Sequence, residues 1–213
     1  MRPPSRPSSH FYHPLDGILS TPAAVRILRV LSLHNGPLSR AGIAQRTGLG
    51  RAGANRAIER LEQSGILESV GDPPRTLLTL SADHPLSDPV GNLFRKEAAR
   101  TDHFFAQVRD AAGAVTPSPT AVWLIGSAAR REDVAQSDID IAVVFALAGR
   151  PGLKLFNSRV HEAGAAAGLR ASVVGMSLDE LAAHAERNDA WWQNLVADAV
   201  PLVGQAPVAL MHD

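Results

Sequence analysis

The segment WLIGSAARREDVAQSDIDIAVVF (123–145) constrains the fold of this chain more than any other part of its sequence. It predicts one apolar strand that ends at Gly126 and Ser127 and, ten residues later, a second that begins with Asp138 and Asp140. Because side chains alternate between the faces of a strand, we expect these two carboxylates to share a face. Carboxylates this close repel each other unless a cation lies between them, and Mg²⁺ is the usual occupant.

The Gly-Ser pair between these strands indicates a binding site for phosphate. Gly126 allows a ligand to approach the backbone closely, and Ser127 opens a predicted short helix (128–131). The free N–H groups and the dipole at a helix start both favour anions. A phosphate site beside metal-binding carboxylates is typical of metal-dependent phosphoryl or nucleotidyl transfer.

Gly-Ser, ten residues and Asp-x-Asp together resemble the signature of nucleotidyltransferases of the DNA polymerase β superfamily, especially the minimal nucleotidyltransferase domains of prokaryotes. The resemblance covers residues 117–205. It implies a nucleoside triphosphate such as ATP as substrate, Mg²⁺ as cofactor, and a hydroxyl on a protein or small molecule as acceptor. It assigns nucleotide binding to Gly126, Ser127 and Arg130, and catalysis and metal binding to Asp138 and Asp140.

The sequence departs from this family at two positions. Arg131 stands where the family commonly has a glycine after Gly-Ser-x-Ala-Arg. In the predicted strand 168–175, Ser172 aligns with the family's third carboxylate, and a neutral hydroxyl can neither complete a trio of metal-binding charges nor act as a base at pH 7. The sequence leaves open whether another acid substitutes for it, the candidates being Glu132, Asp133, Asp179 and Glu180.

The first part of the chain resembles a winged helix-turn-helix of prokaryotic transcription regulators over residues 18–85. Thr21 and Ser39 are predicted helix N-caps, and glycines or Gly-Pro end each helix. The third helix is expected at 51–63, with apolar residues at helical spacing, and a hairpin at 66–80 follows it. The three helices with their hairpin predict a DNA-binding module.

The distribution of charge supports a polyanionic partner for this region. The net charge of the chain is zero, but residues 1–84 carry ten arginines against six acids, an excess that the rest of the chain balances. Arg51, Asn55 and Arg56, at the start of the third helix, are predicted to meet base edges, and Arg75, near the wing tip, to meet phosphate. A solvated arginine face and a protein-protein module remain open as alternatives.

Two further regions complete the predicted organisation. Residues 86–116 are expected to form a connecting amphipathic helix, whose apolar stripe packs on either domain or on a second copy, which would make a homodimer. Residues 1–17 are predicted to be a disordered lead-in and 206–213 a tail. Trp191 and Trp192 are interpreted as core and rim residues in preference to a stacking platform for a nucleotide base.

Composition excludes several classes of protein. The chain has no cysteine, and its eight histidines lack metal-binding spacing, which argues against a disulfide framework and a zinc site. No apolar run approaches the roughly 20 residues that cross a bilayer. The N-terminus lacks the apolar core of a signal peptide. We therefore expect a cytoplasmic protein without a membrane partner.

The predicted fold class is a two-domain α+β or α/β protein. It consists of an N-terminal winged helix-turn-helix, a connecting helix and a nucleotidyltransferase-like mixed sheet with flanking helices. The first functional hypothesis is Mg²⁺-dependent transfer of a nucleoside monophosphate, and the resemblance suggests a toxin-antitoxin setting. The alternative is a DNA-binding regulator whose transferase-like domain senses nucleotide without turnover.

Overall fold

A computed structural model describes residues 14–73 and 76–211 of the chain. The chain divides into two compact units, Met1–Ala98 and Ala99–Asp213. This division confirms the predicted two-domain class. The first thirteen residues of the predicted lead-in, and Arg75, lie outside the described residues.

The described residues of the first unit form four helices, a hairpin and the beginning of a fifth helix. Thr21 caps α2 by accepting a hydrogen bond from the backbone N–H of Ala24, and Ser39 caps α3 in the same way through Gly42. Leu38 also forms a bridge with Leu78, which ties the hairpin to the helices. The elements are α1 (Pro14–Ile18), α2 (Pro22–Leu33), α3 (Arg40–Thr47), α4 (Arg51–Gln63), β1 (Leu67–Val70), β2 (Leu77–Leu80) and α5 (Ser87–Gly113).

One hydrophobic core holds these elements together. It includes Ile27, Ile43 and Ile58 from the three main helices. Ile18 is fully buried in it, at the end of α1. Residues 14–17, which the sequence places in the disordered lead-in, therefore begin a helix, because burial of its last residue holds this short segment against the core.

The second unit contains a four-stranded mixed sheet in the order β5-β4-β3-β6. Strands β4 and β5 are parallel, whereas β3 is antiparallel to both of its neighbours. The elements are β3 (Ala121–Ile125), α6 (Gly126–Arg130), β4 (Ile139–Phe145), α7 (Leu153–Ala166), β5 (Ala171–Ser177), α8 (Leu178–Arg187), α9 (Ala190–Asp198), β6 (Val200–Val203) and α10 (Pro207–Leu210). The predicted tail therefore includes a short helix.

Helices cover both faces of this sheet. Ile141 faces a core that includes Phe104 of α5 and Phe156 of α7. Val144 faces the opposite core, which includes Leu181 of α8 and residues of α9. By strand alternation, Asp140 lies on the face of Val144, at the open end of the sheet.

Helix α5 contributes to both units. Val90 and Phe94 are buried in the core of the first unit, and Phe104 and Val108 in that of the second. The sequence leaves open whether α5 packs on either domain or on a second copy of the chain. The structure shows that α5 contributes buried residues to the core of each unit. Among the described residues, no helix is both long enough and apolar enough to cross a membrane.

Candidate functional site

Asp140 lies directly against the Gly-Ser turn. Ile125 pairs with Asp140 across antiparallel strands β3 and β4, so Gly126 is the next residue along. Gly126 has φ +73°, and a Cβ atom there would lie 2.8 Å from the Oδ2 atom of Asp140. The glycine is required both by its left-handed backbone and by the approach of the carboxylate.

Asp138 immediately precedes β4 and shares the face of Asp140 by strand alternation. Its Oδ1 atom lies 2.9 Å from the Nε atom of Arg170. The side chains of Asp138 and Arg170 are 52% and 66% exposed, so this ion pair adds little stability and is readily broken. Arg170 therefore places a positive charge next to Asp138.

Ser172 lies beside Asp140 on the neighbouring strand, because the parallel register of β4 and β5 places the two residues opposite each other. Of the substitute acids that the sequence leaves open, Glu132 pairs with Arg130, and Glu180 accepts a hydrogen bond from the Ser177 N–H in a capping box. No group of three acidic or histidine side chains gathers for a metal within the described residues. The carboxylate set is Asp138 and Asp140.

This pair fits one Mg²⁺ ion that is shared with a nucleotide. Mg²⁺ in phosphate sites uses one or two protein carboxylates and takes its remaining ligands from phosphate and water. Asp138 and Asp140 supply that number, and the carboxylate of Asp140 adjoins the Gly126 turn. A second ion would need a further carboxylate, which the hydroxyl of Ser172 does not provide.

The two arginines at the end of α6 differ, since Arg130 has two ionic partners and Arg131, the C-cap, has a left-handed backbone. The Nη1 atom of Arg130 lies 2.6 Å from Asp198, and its Nε atom 2.9 Å from Glu132. The pKa of Arg130 is raised, most by its hydrogen bond to Glu132 and next by its hydrogen bond to Asp198. Arg131, at the C-cap, has φ +60° and ψ +36°, which explains why the family commonly has a glycine there.

A cavity of about 190 Å³ opens beside Gly126. Trp191 packs against the core on this face of the sheet and also forms one wall of the cavity. The residue therefore combines the packing role favoured from the sequence with access to a bound ligand. The cavity is lined by Ile125, Gly126, Arg130, Trp191, Asn194, Leu195 and Asp198.

Comparison with known families identifies both parts of the chain. The family described as "Putative nucleotidyltransferase DUF294" matches residues 91–199, which is just over half of the chain. The chain belongs to the DUF294 family. Residues 21–75 match the MarR family. The resemblances inferred from the Gly-Ser turn, the aspartates and the helix pattern are confirmed.

A solved structure is similar to the N-terminal part of this DUF294 protein. It is the homodimeric winged helix-turn-helix DNA-binding domain of a possible ArsR-family transcriptional regulator from Mycobacterium bovis. The identity is 20%, the match covers 46% of this chain and 91% of that one, and the TM-score is 0.33. No curated protein matches the chain significantly.

Three of the four predicted DNA-contacting residues lie on the surface of α4 in the MarR-like region. Arg51, Asn55 and Arg56 are all exposed. Arg51 and Asn55 lie one turn apart and line a depression of about 310 Å³ together with Arg40 and residues of α3. The structure therefore brings Arg51 and Asn55 together, and their contact with bases stays a prediction.

The sequence did not reveal two ionic partners of the DUF294 site. Arg170 precedes β5 just as Asp138 precedes β4, so the parallel pairing places them level with each other. Asp198 ends α9 and reaches Arg130 from 68 residues away in the sequence. The first pair follows once β4 and β5 are known to be parallel, whereas the second depends on the packing of α9.

Proposed function

We propose that this protein is a Mg²⁺-dependent nucleotidyltransferase joined in one chain to a DNA-binding domain. It transfers a nucleoside monophosphate from a nucleoside triphosphate to a hydroxyl group. The observation that supports this most is the carboxylate of Asp140 against the Gly126 turn, with Asp138 two residues before it on the same face. This arrangement suits a phosphate chain and its metal ion.

Each part of the site has a role in this reaction. The turn at Gly126 and Ser127 holds the phosphates, and the cavity beside Trp191 accepts the nucleoside. Asp138 and Asp140 hold the Mg²⁺ ion, which would neutralise charge that develops on the phosphates. The acceptor hydroxyl then loses its proton to a base or to water, and its oxygen bonds to the α-phosphorus. The bond from that phosphorus to the bridging oxygen breaks, and pyrophosphate leaves with the electron pair.

Transfer of labelled nucleotide tests this proposal. The protein is incubated with Mg²⁺ and α-labelled triphosphates, ATP first, and with peptides and sugars that offer hydroxyl groups. We expect labelled product from the wild type and none from Asp138→Asn or Asp140→Asn. Asp102→Asn, which removes an exposed acid of α5, is the control and should transfer normally. Equal labelling by all four proteins contradicts the assignment.

One observation favours a second function, the sensing of nucleotide without turnover. A serine hydroxyl occupies the position opposite Asp140, and the described residues gather no third carboxylate. Two carboxylates suffice to bind Mg²⁺-nucleotide, whereas a positioned base contributes roughly 10²–10⁴-fold to the rate. Calorimetry with a non-hydrolysable ATP analogue that shows binding, in a protein that labels no acceptor, supports the sensor.

The MarR match and the exposed face of α4 support a role in transcription regulation. We expect Arg51→Ala to weaken binding to the protein's own promoter fragment by about 1–3 kcal/mol and to relax the preference at one base pair. Arg26→Ala, which removes an exposed arginine of α2, is the control. Fluorescence anisotropy measures both, and an equal loss in the two variants would contradict base contact by Arg51.

Several finer expectations remain predictions from the resemblance. They are ATP as the nucleotide, a partner toxin protein as the acceptor, a homodimer through α5 and phosphate contact by Arg75. Leu93 of α5 is 54% exposed, which leaves an apolar side chain for such a dimer. Sedimentation of the wild type and of Leu93→Glu tests the dimer, since a charged residue should shift an α5 dimer to monomer.

A further inference from the structure

A second cavity lies on the same face of the sheet, on the other side of Trp191. Its volume is about 370 Å³, and Trp191 lines both cavities. Val174, which follows Ser172 by two residues on the same face of β5, forms part of its floor. The cavity therefore adjoins the position where the resemblance expects the third acid. It is lined by Arg150, Val174, Gly175, Met176, Glu180, His184 and Trp191.

A histidine-aspartate pair stands in its wall. The Nδ1 atom of His184 is 2.7 Å from the Oδ2 atom of Asp189. The Nη2 atom of Arg187, which only donates, also lies 3.1 Å from Nδ1. Because a carboxylate only accepts hydrogen bonds and its contact is the shorter one, we assign the proton to Nδ1, which leaves the Nε2 lone pair available. Within the described part of the chain, no hydrogen bond to Nε2 is present. The ring of His184 also contacts Trp191, with 4.8 Å between the ring centroids.

Asp189 is itself firmly held. Its Oδ1 atom caps α9 by accepting from the Trp192 N–H at 3.0 Å, and its Oδ2 atom lies 3.2 Å from Arg187. The hydrogen bond from the Trp192 N–H contributes most to lowering the pKa of Asp189, and the hydrogen bond with His184 comes next; the pKa is about 2. The carboxylate is therefore ionised throughout the neutral range and fixes one tautomer of His184.

The path of the chain brings this imidazole back toward the carboxylates. Helix α8 begins at Leu178, directly after Ser177 ends β5, and His184 lines the same cavity as Val174. A strand advances about 3.3 Å per residue and a helix about 1.5 Å. His184, seven residues after Ser177, therefore returns to about the level of Val174, one same-face position from Ser172.

We propose that the acceptor hydroxyl enters through this second cavity and that His184, oriented by Asp189, takes its proton. The inference rests on the proposed transferase function and deepens it. The O–H bond of the acceptor breaks, its proton passes to Nε2 of His184, and its oxygen bonds to the α-phosphorus as pyrophosphate departs. His184 thus supplies the base that Ser172 does not.

The test compares His184→Gln with His161→Gln. His161 is an exposed histidine of α7 whose ring bonds only within its own helix in the described structure. We expect His184→Gln to lower the rate of pyrophosphate release from Mg²⁺-ATP by about 10²–10⁴-fold, whether the acceptor is water or a serine or tyrosine peptide. Binding of a non-hydrolysable ATP analogue should stay within about threefold, since a base acts in the chemical step.

Two readouts separate a base from a merely structural histidine. A rate that depends on a general base falls toward acidic pH, and this limb should be present in the wild type and absent from the residual rate of His184→Gln. The charged groups around the imidazole are Asp189, Arg187, Glu180 and Arg150. Asp189→Asn keeps the cap of α9 but loses the charge that orients the ring, so it should lower the rate of transfer while leaving nucleotide affinity nearly unchanged.

Rescue supplies a further readout. Because Ser172 faces Asp140 across the parallel register, Ser172→Asp places a carboxylate next to the metal site. In the His184→Gln background, this change should raise transfer by about tenfold more than it does in the natural chain, because it supplies a base that only the variant lacks. A structural role for His184 gives equal gains in the two backgrounds.

The outcomes distinguish the two proposals. If Asp140→Asn abolishes transfer while His184→Gln transfers at the wild-type rate, the assignment of His184 is wrong and the transferase proposal stands. If the wild type binds nucleotide but releases no pyrophosphate and labels no acceptor, the transferase proposal fails and that of His184 fails with it. Loss in His184→Gln together with recovery by Ser172→Asp supports both.

Discussion

Replacing Gly126 by alanine separates the two reasons for a glycine beside Asp140. The first is conformational, because Gly126 has φ +73°, a backbone state that costs a non-glycine residue roughly 1–2 kcal/mol. The second is steric, because the new Cβ would lie 2.8 Å from the Oδ2 atom of Asp140. The end of a flexible side chain relieves such a clash by rotating away, so the collision displaces the carboxylate and adds little to the loss of stability.

A matched control isolates the conformational cost. Gly168 has φ +65°, and no described atom lies within 4 Å of a Cβ built on it. Gly168→Ala and Gly126→Ala should both lower the free energy of unfolding by roughly 1–2 kcal/mol. In a domain of this size that corresponds to a fall in melting temperature of about 4 °C per kcal/mol, which circular dichroism resolves.

Nucleotide binding should distinguish the two variants. A hydrogen bond or ionic contact to a charged group contributes about 1.5–3 kcal/mol, so displacement of the Asp140 carboxylate should weaken binding of a Mg²⁺-ATP analogue roughly 10- to 100-fold. Gly168→Ala should bind as the wild type does. Calorimetry measures both. Equal affinity of the two variants would refute the view that the Gly126 turn and Asp140 form one site.

Three other predictions follow from the same region. Arg131→Gly relieves the left-handed φ of +60° and should raise the free energy of unfolding by up to about 1 kcal/mol, as urea denaturation would show; a loss would mean that Arg131 makes a stabilising contact. The folded-state pKa of Asp189 is about 2, below its ordinary 3.8, so its stabilisation is complete above about pH 4 and is lost as the pH falls toward 2. Asp189→Asn should flatten that part of the pH dependence of the denaturation midpoint, and an unchanged slope would contradict it. Ser172→Asp in the otherwise natural chain should raise any transfer, because it adds a carboxylate beside Asp140, and a lower rate would show that the added charge disrupts the metal site.

The sequence predicted elements well where local signals agree. Helix α4 spans Arg51–Gln63, as expected, because apolar side chains recur at helical spacing between two glycines. Strand β3 and the turn at Gly126 were placed correctly for a similar reason, since a continuous apolar run ends at a glycine. Helix α1 was missed, because five residues carry no periodicity and their conformation depends on the burial of Ile18.

The candidate site was predictable only in part. The common face of Asp138 and Asp140 follows from strand alternation, and the sequence alignment already suggested the position of Ser172. The pairing of His184 with Asp189, five residues away, depends on the left-handed turn at Asn188 between α8 and α9. The contact between Arg130 and Asp198 depends on how α9 packs against α6. Such long-range packing leaves no periodic pattern in the chain, so residue spacing alone did not reveal it.

The ion pair between Arg170 and Asp138 has a consequence for the order in which ligands arrive. The guanidinium of Arg170 is already paired with the carboxylate of Asp138. A Mg²⁺ ion that arrives without nucleotide would therefore have to compete with Arg170, and it would keep most of its own water ligands. A triphosphate brings several negative charges of its own, which attract Arg170 away from Asp138 and complete the coordination of the metal. Under the proposed function, the site should therefore respond to the supply of metal-bound triphosphate more than to free Mg²⁺, and the weak Arg170 pair adds to this preference without imposing it.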